Sequence, residues 1–282
     1  MLKKILILAL TLSTVACTGK LQENSFISQD KAVNLYQSAE LQEWQSRFPE
    51  HKLKPLTLTT KSDGTRLRGL LLDSPDSHDA IFYIPGNGMK VSQGGIVALE
   101  SLASLNRDLI IFNRRGLGAS AGKASIKNLI SDAREQLDYI KKDLAANTVL
   151  VHGFSLGSFV AAQLAKEEEI DALVLQGAAT NVDEWIHAST PWYIKPFLTL
   201  EIDDAFRSVD NKEVVAKHYT GPLLVIGGEE DEQVPASLSV SLFDASQSTD
   251  KVLLMVKGAD HASMLKKRQE INAYGRFLAS LQ

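Results

Sequence analysis

From Leu53 onward, short runs of apolar residues alternate with longer stretches in which apolar residues recur at helical spacing. Leu53 to Thr60 and Thr65 to Leu72 flank Ser62-Asp63-Gly64, which predicts a β-hairpin closed by an Asp-Gly turn. Six more apolar runs follow: Ala80 to Ile84, Leu109 to Phe112, Thr148 to His152, Ala172 to Gln176, Pro222 to Gly227 and Val252 to Val256. Helical patterns fall between and after them at Gly94 to Leu105, Ile126 to Leu144, Ser155 to Lys166, Ala236 to Phe243 and Ser263 to Leu281. Strands without a polar face, separated by amphipathic helices, predict an α/β domain with a mostly parallel, eight-stranded sheet covered by helices on both faces. In such a sheet the chemistry lies beyond the carboxyl ends of the strands. The alternation stops between Thr180 and Tyr219, which predicts an insertion over residues 180–219. Before the domain, residues 17–50 are polar, with one helical stretch from Gln29 to Phe48 that carries Val33, Tyr36, Leu41 and Trp44 and is ended by Pro49. This segment is expected to be a tether and a packing helix without chemistry, and residues 51–282 the domain.

The amino terminus has a different pattern. Lys3 and Lys4 precede an apolar run from Ile5 to Ala16, the layout of a secretory leader and too short to span a bilayer comfortably. It ends in Thr14-Val15-Ala16-Cys17-Thr18-Gly19, small residues followed by the only cysteine of the chain. This resembles a bacterial lipoprotein precursor. The resemblance implies cleavage after residue 16 and a diacylglyceryl anchor on Cys17, hence a lipid-anchored location in the cell envelope, the outer membrane in a Gram-negative source. The alternative is an ordinary secretory signal with a nearby cysteine. A single cysteine excludes an intramolecular disulfide and a cysteine-ligated zinc site. The composition of the 282 residues, 44% hydrophobic and 23% charged, is that of a globular protein. A net charge of −4 without a long Lys/Arg block gives no electrostatic footprint for nucleic acid.

Chemistry enters where the run Val149-Leu150-Val151 leads into Gly153-Phe154-Ser155-Leu156-Gly157 and then into an alanine-rich helical pattern. Gly-x-Ser-x-Gly between a strand and a helix is the spacing of a sharp turn that exposes a serine hydroxyl near a helix N-terminus. Ser155 is therefore the candidate nucleophile, and it needs a base. Of six histidines, His51 and His78 fall near the hairpin, His187 and His218 in the insertion, and His152 inside the strand before Ser155, where a structural role is expected. His261 directly follows the last predicted strand and points to the same rim as Ser155, which makes it the candidate base.

After the run Pro222 to Ile226 the chain reads Gly227-Gly228-Glu229-Glu230-Asp231-Glu232-Gln233-Val234-Pro235. This turn, the elbow and the terminal Gly258-Ala259-Asp260-His261 together resemble the α/β-hydrolase superfamily, over about Leu53 to Gln282. The resemblance implies that Asp231 supplies the acid of a Ser-Asp-His triad, in preference to Glu229, Glu230, Glu232 or the adjacent Asp260. It also implies an oxyanion hole formed by the N–H of Leu156 and, from the loop Ile84-Pro85-Gly86-Asn87-Gly88, the N–H of Asn87. Phe112-Asn113-Arg114-Arg115-Gly116-Leu117-Gly118-Ala119-Ser120 resembles a structural turn of the family. Within the superfamily the Bem46-like membrane-associated serine hydrolases are the closest resemblance. The insertion is expected to form a lid, with Trp185, Trp192 and Phe197 either binding an acyl chain or packing the lid. These expectations describe a serine hydrolase of ester-type bonds acting on a small-molecule acyl substrate without metal or organic cofactor. The alternatives are a peptidase or amidase with the same triad, or a catalytically silent binding protein. The sequence does not set the oligomeric state.

Overall fold

The computed structural model describes residues 17–75 and 77–281; the leader expected over residues 1–16 lies outside the described residues. The strands are β1 (Cys17–Leu21), β2 (Lys52–Thr59), β3 (Arg66–Asp73), β4 (Ala80–Ile84), β5 (Asp108–Phe112), β6 (Val149–Phe154), β7 (Ala172–Gln176), β8 (Leu198–Ile202), β9 (Leu223–Gly228) and β10 (Lys251–Val256). The helices are α1 (Glu23–Phe26), α2 (Ser38–Ser46), α3 (Ile96–Leu102), α4 (Ile126–Lys142), α5 (Leu156–Glu167), α6 (Val182–Ser189), α7 (Asp204–Arg207), α8 (Asn211–Lys217), α9 (Ala236–Ala245) and α10 (Arg268–Ser280). Eight strands form the main sheet in the order β10-β9-β7-β6-β4-β5-β3-β2. The hairpin β2/β3 and the pair β3/β5 are antiparallel, and the other neighbours are parallel. All eight strands coincide with the predicted runs to within two residues at each end.

The unbroken apolar strands have a direct packing cause. Successive side chains of a strand point to opposite faces. Phe82, Val149, Val151, Leu173 and Leu175 accordingly join one core with Leu129 of α4, Val160 of α5 and Leu242 of α9. Their neighbours Ile81, Tyr83, Leu150, Ala172 and Val174 join a second core with Trp44 of α2, Leu99 of α3 and Tyr274 of α10. Both faces are dry, so neither tolerates a polar alternation.

Two expectations are corrected. The stretch Gln29 to Phe48 is helical only over α2; residues 27–37 form an irregular strap with bends instead. The helical pattern loses there because the strap finds partners in the glycine turn after β5. Asp30 N–H donates to Gly116 O at 2.8 Å, Gly118 N–H donates to the Asp30 carboxylate at 2.8 Å, and Asn34 N–H donates to Gly118 O at 2.8 Å. Lys90 pairs with Asp30 at 2.8 Å, and with Gly118 it lowers the Asp30 pKa. Nor is the polar stretch before it a free tether. β1 pairs in parallel with β8 of the insertion, in register from Cys17 opposite Leu198 to Leu21 opposite Ile202. The amino-terminal strap therefore runs from its pairing with the insertion across the carboxyl ends of the central strands.

Candidate active site

Ser155 sits between β6 and α5 with φ 53° and ψ −120°, a backbone conformation that costs a side-chain-bearing residue about 1–3 kcal/mol and persists only where its surroundings enforce it. The flanking glycines explain how it is enforced. A Cβ on Gly153 would stand 2.6 Å from Ala161 Cβ and Gly157 O, and one on Gly157 would stand 2.2 Å from Ile84 O. The Ser155 N–H donates to Gln176 O of β7 at 2.9 Å, and its side chain does not cap α5. The hydroxyl is left to face a cavity of about 470 Å³, which His261, Leu156 and Asn87 also line.

His261 leaves β10 through a turn in which Gly258 has φ +68°. Its ring is buried and its Nδ1 lies 2.7 Å from Asp231 Oδ2. The other oxygen, Asp231 Oδ1, accepts the N–H groups of Gln233 at 2.9 Å and Val234 at 2.8 Å. A carboxylate can only accept, so His261 Nδ1 carries the proton and Nε2 is left with its lone pair. The Phe154 ring lies against the imidazole with centroids 4.9 Å apart. Gly177 at the end of β7 gives the ring its room, since a Cβ there would come within 3.1 Å of His261 Cε1.

None of the competing residues bonds the His261 ring, although Glu232 also lines the cavity. Asp260 is exposed and bonds Ser263 Oγ and Ala262 N, while Glu229, Glu230 and Glu232 are exposed on the acidic turn. His78, His187 and His218 are exposed. His152 is fully buried in β6, with Nε2 2.9 Å from Gln176 Oε1 and Nδ1 3.2 Å from Tyr274 Oη. Burial pushes its pKa down to about 3, so it is a neutral structural residue. Ser158 Oγ is turned inward onto Ser155 O at 2.6 Å.

The loop after β4 brings Asn87 to the cavity, and Gly86 lets that loop lie on the elbow, where a Cβ would come within 3.1 Å of Ser155 Cβ. The Asn87 carboxamide has a second task that the sequence reading lacks. Its Oδ1 accepts from Ser28 N at 2.9 Å and from Arg114 Nη2 at 3.2 Å, and its Nδ2 donates to Phe26 O at 2.8 Å. Behind it, Arg115 makes a bidentate pair with buried Asp132 (2.9 and 2.5 Å) and also bonds Asp63, which raises its pKa. Asn113 Oδ1 accepts from Val91 N at 2.8 Å while Nδ2 donates to Tyr36 Oη at 2.6 Å. The turn over residues 113–120 is thus a buried framework.

Of the three lid aromatics singled out, only Trp185 of α6 lines the cavity, with its Nε1–H on Gln233 O at 2.8 Å. Trp192 and Phe197 are 81% and 48% exposed and do not line it, because residues 191–197 lie on the outer surface of the insertion. Their places are taken by Phe206 and, from the strap, by Leu21 and Phe26. The signal for Phe26 is slight: a single aromatic in a polar stretch. Among the described residues, no group of three His, Cys, Asp or Glu side chains is arranged to hold a metal ion, and no helix is long and apolar enough to cross a membrane.

Comparison with known proteins agrees with this architecture. The family described as alpha/beta hydrolase fold matches residues 79–199. An uncharacterized protein of Mycobacterium tuberculosis is 31% identical over 222 residues, 77% of this chain and 76% of that one. Lysophosphatidylserine lipase ABHD12 of Macaca fascicularis is 30% identical over 181 residues, 59% of this chain and 45% of the relative. Among solved structures, the Pyrococcus furiosus esterase Pf2001 superposes with a TM-score of 0.69 at 19% identity, over 91% of this chain and 98% of that one. The chain belongs to the α/β-hydrolase family of enzymes.

Proposed function

We propose that the protein is a serine hydrolase that cleaves carboxylic esters, thioesters included, by two-step acyl transfer. The observation that carries this reading is the convergence on one cavity of Ser155, on its strained elbow, and His261, fixed by Asp231 in the tautomer that leaves Nε2 free. His261 Nε2 takes the hydroxyl proton as Ser155 Oγ attacks the carbonyl carbon, and Asp231 stabilises the resulting imidazolium. The N–H of Leu156, at the first position of α5, has no partner inside its helix, and with the N–H of Asn87 it receives the developing oxyanion. The imidazolium then protonates the departing alkoxide or thiolate. Water repeats the sequence on the acyl-enzyme, giving its proton to His261 and releasing the acid and Ser155.

An apolar cavity favours a hydrophobic acyl group over a peptide, whose buried amides need hydrogen-bond partners. The lipase name of one relative points the same way. The resemblance of the motifs to the Bem46-like group supports that finer assignment. A panel of p-nitrophenyl esters, acyl thioesters and aminoacyl anilides tests the reading: esters or thioesters should be turned over, the anilides poorly, and Ser155→Ala should abolish the reaction. Preference for the anilides would favour the amidase reading. Ester turnover unchanged in Ser155→Ala would end the proposal.

We further propose that Cys17 carries the lipid anchor of a cell-envelope protein, in the outer membrane if the source is Gram-negative. Two acyl chains suffice for stable membrane attachment, whereas one gives only reversible binding. Because Cys17 is itself paired within β1, opposite Leu198, such an anchor would hold the insertion close to the bilayer. Cys17→Ser expressed in its host should lose the lipid mass and leave the membrane fraction; a wild-type protein with an unmodified, soluble amino terminus would refute the anchor.

A further inference from the structure

We infer that the amino-terminal strap forms one wall of the acyl-binding site, with Phe26 touching the apolar acyl chain and the Asn87 side chain clasping this wall to the oxyanion loop. The inference rests on Ser155 being the nucleophile. Leu21 and Phe26 come from the first residues after Cys17, yet they line the same cavity as Ser155 and His261. The Phe26 ring meets Trp185 of α6 edge-on with centroids 6.0 Å apart, and Phe206 of α7 edge-on at 5.4 Å. Three segments distant in the chain thus build one aromatic face in the cavity.

The strap is fixed at both ends of this wall. On one side β1 is hydrogen-bonded to β8 of the lid. On the other, one carboxamide links three elements: Asn87 Nδ2 donates to Phe26 O, and Asn87 Oδ1 accepts from Ser28 N and Arg114 Nη2. The Arg114 guanidinium is buried, and its Nε and Nη1 find no partner among the described residues. Among the described residues, Asn87 Oδ1 is the one side-chain acceptor this cation meets, which makes the clasp costly to release. Burial lowers the Arg114 pKa to about 10, consistent with that scarcity. Gly88, with φ +76°, takes the left-handed conformation where the loop meets the strap, with Ser28 as its neighbour. The Leu21 and Phe26 side chains bring the wall no hydrogen-bonding group, so the substrate class is an ester with an apolar acyl chain.

An alkyl fluorophosphonate bearing a diazirine at its chain end tests this on the wild-type protein. Fluoride leaves as Ser155 Oγ bonds to phosphorus, and irradiation then inserts the chain end into the nearest side chain. Lys20 and Lys31 flank a single tryptic peptide, residues 21–31, that holds both Leu21 and Phe26. A crosslink between it and the Ser155 peptide is expected. A Ser155 adduct crosslinked only to other peptides would overturn the inference while leaving the hydrolase reading intact, whereas failure to label Ser155 would overturn both. As a second measurement, Phe26→Trp crowds the cavity and should lower the ratio of kcat/KM for octanoate over acetate esters by about fivefold or more; an unchanged ratio would also overturn the inference.

Discussion

His152 makes the stability of the elbow strand sensitive to acid, and the effect can be sized. The imidazole is fully buried between Gln176 and Tyr274, and its pKa falls to about 3, chiefly because burial penalises the charged ring. In the unfolded chain it titrates near 6.5. The folded pKa is the lower one, so the unfolded state binds the extra proton, and stability is lost as pH falls below about 6.5 toward 3. Between pH 7 and pH 5 the folded ring stays neutral while the unfolded ring charges, a difference of about 2 kcal/mol. For a chain of this size that corresponds to roughly 5 °C in melting temperature. The assay is urea unfolding of wild type and His152→Gln at both pH values. Asp108 and Asp132, whose pKa values burial raises, are present in both proteins and cancel. Wild type should lose about 2 kcal/mol more than the variant over this interval. Parallel losses would mean that the ring reaches water in the folded state.

Other consequences are equally specific. Gly157→Ala would force a Cβ to 2.2 Å from Ile84 O, so unfolding should show a loss of about 3 kcal/mol or more, with ester turnover lost as the elbow shifts. Asp132→Ala removes one of the two carboxylates on buried Arg115, leaving Asp63, and should cost about 1.5–3 kcal/mol in denaturant titration at neutral pH. Ser155→Ala and His261→Ala should each lower kcat by several orders of magnitude, and the double variant should be scarcely slower than either, since the two serve one step; additive losses would separate them.

The legible and illegible parts of the molecule differ in what holds them. The eight-stranded sheet could be read because strands buried on both faces must be apolar at every position, as Ile81-Phe82-Tyr83 and Leu173-Val174-Leu175 are. The elbow could be read because its two glycines are steric requirements at fixed spacing. The strap could not. Asp30, Asn34 and Ser28 are held by backbone and carboxamide hydrogen bonds to residues 87–118, contacts that leave no period in the chain. β8 does alternate, with Leu198, Leu200 and Ile202 between Thr199 and Glu201, but its partner β1, Cys17-Thr18-Gly19-Lys20-Leu21, carries no such period, so the pairing left no signal on that side. The lid aromatics looked alike in sequence, and only folding separates Trp185, turned into the cavity, from Trp192, turned to solvent. The position of Asn87 in the loop after β4 was legible, but its side-chain clasp depends on a strap whose course was not.

The central claim is that Ser155 is a nucleophile activated by His261. Intact-mass spectrometry after treatment with a small fluorophosphonate measures this most directly. One phosphonyl adduct should form on the wild-type protein and map to Ser155, forming far more slowly in His261→Ala and not at all in Ser155→Ala, while Ser158→Ala and Ser120→Ala label as wild type does. Labelling of Ser155→Ala to the same extent as wild type would contradict the account.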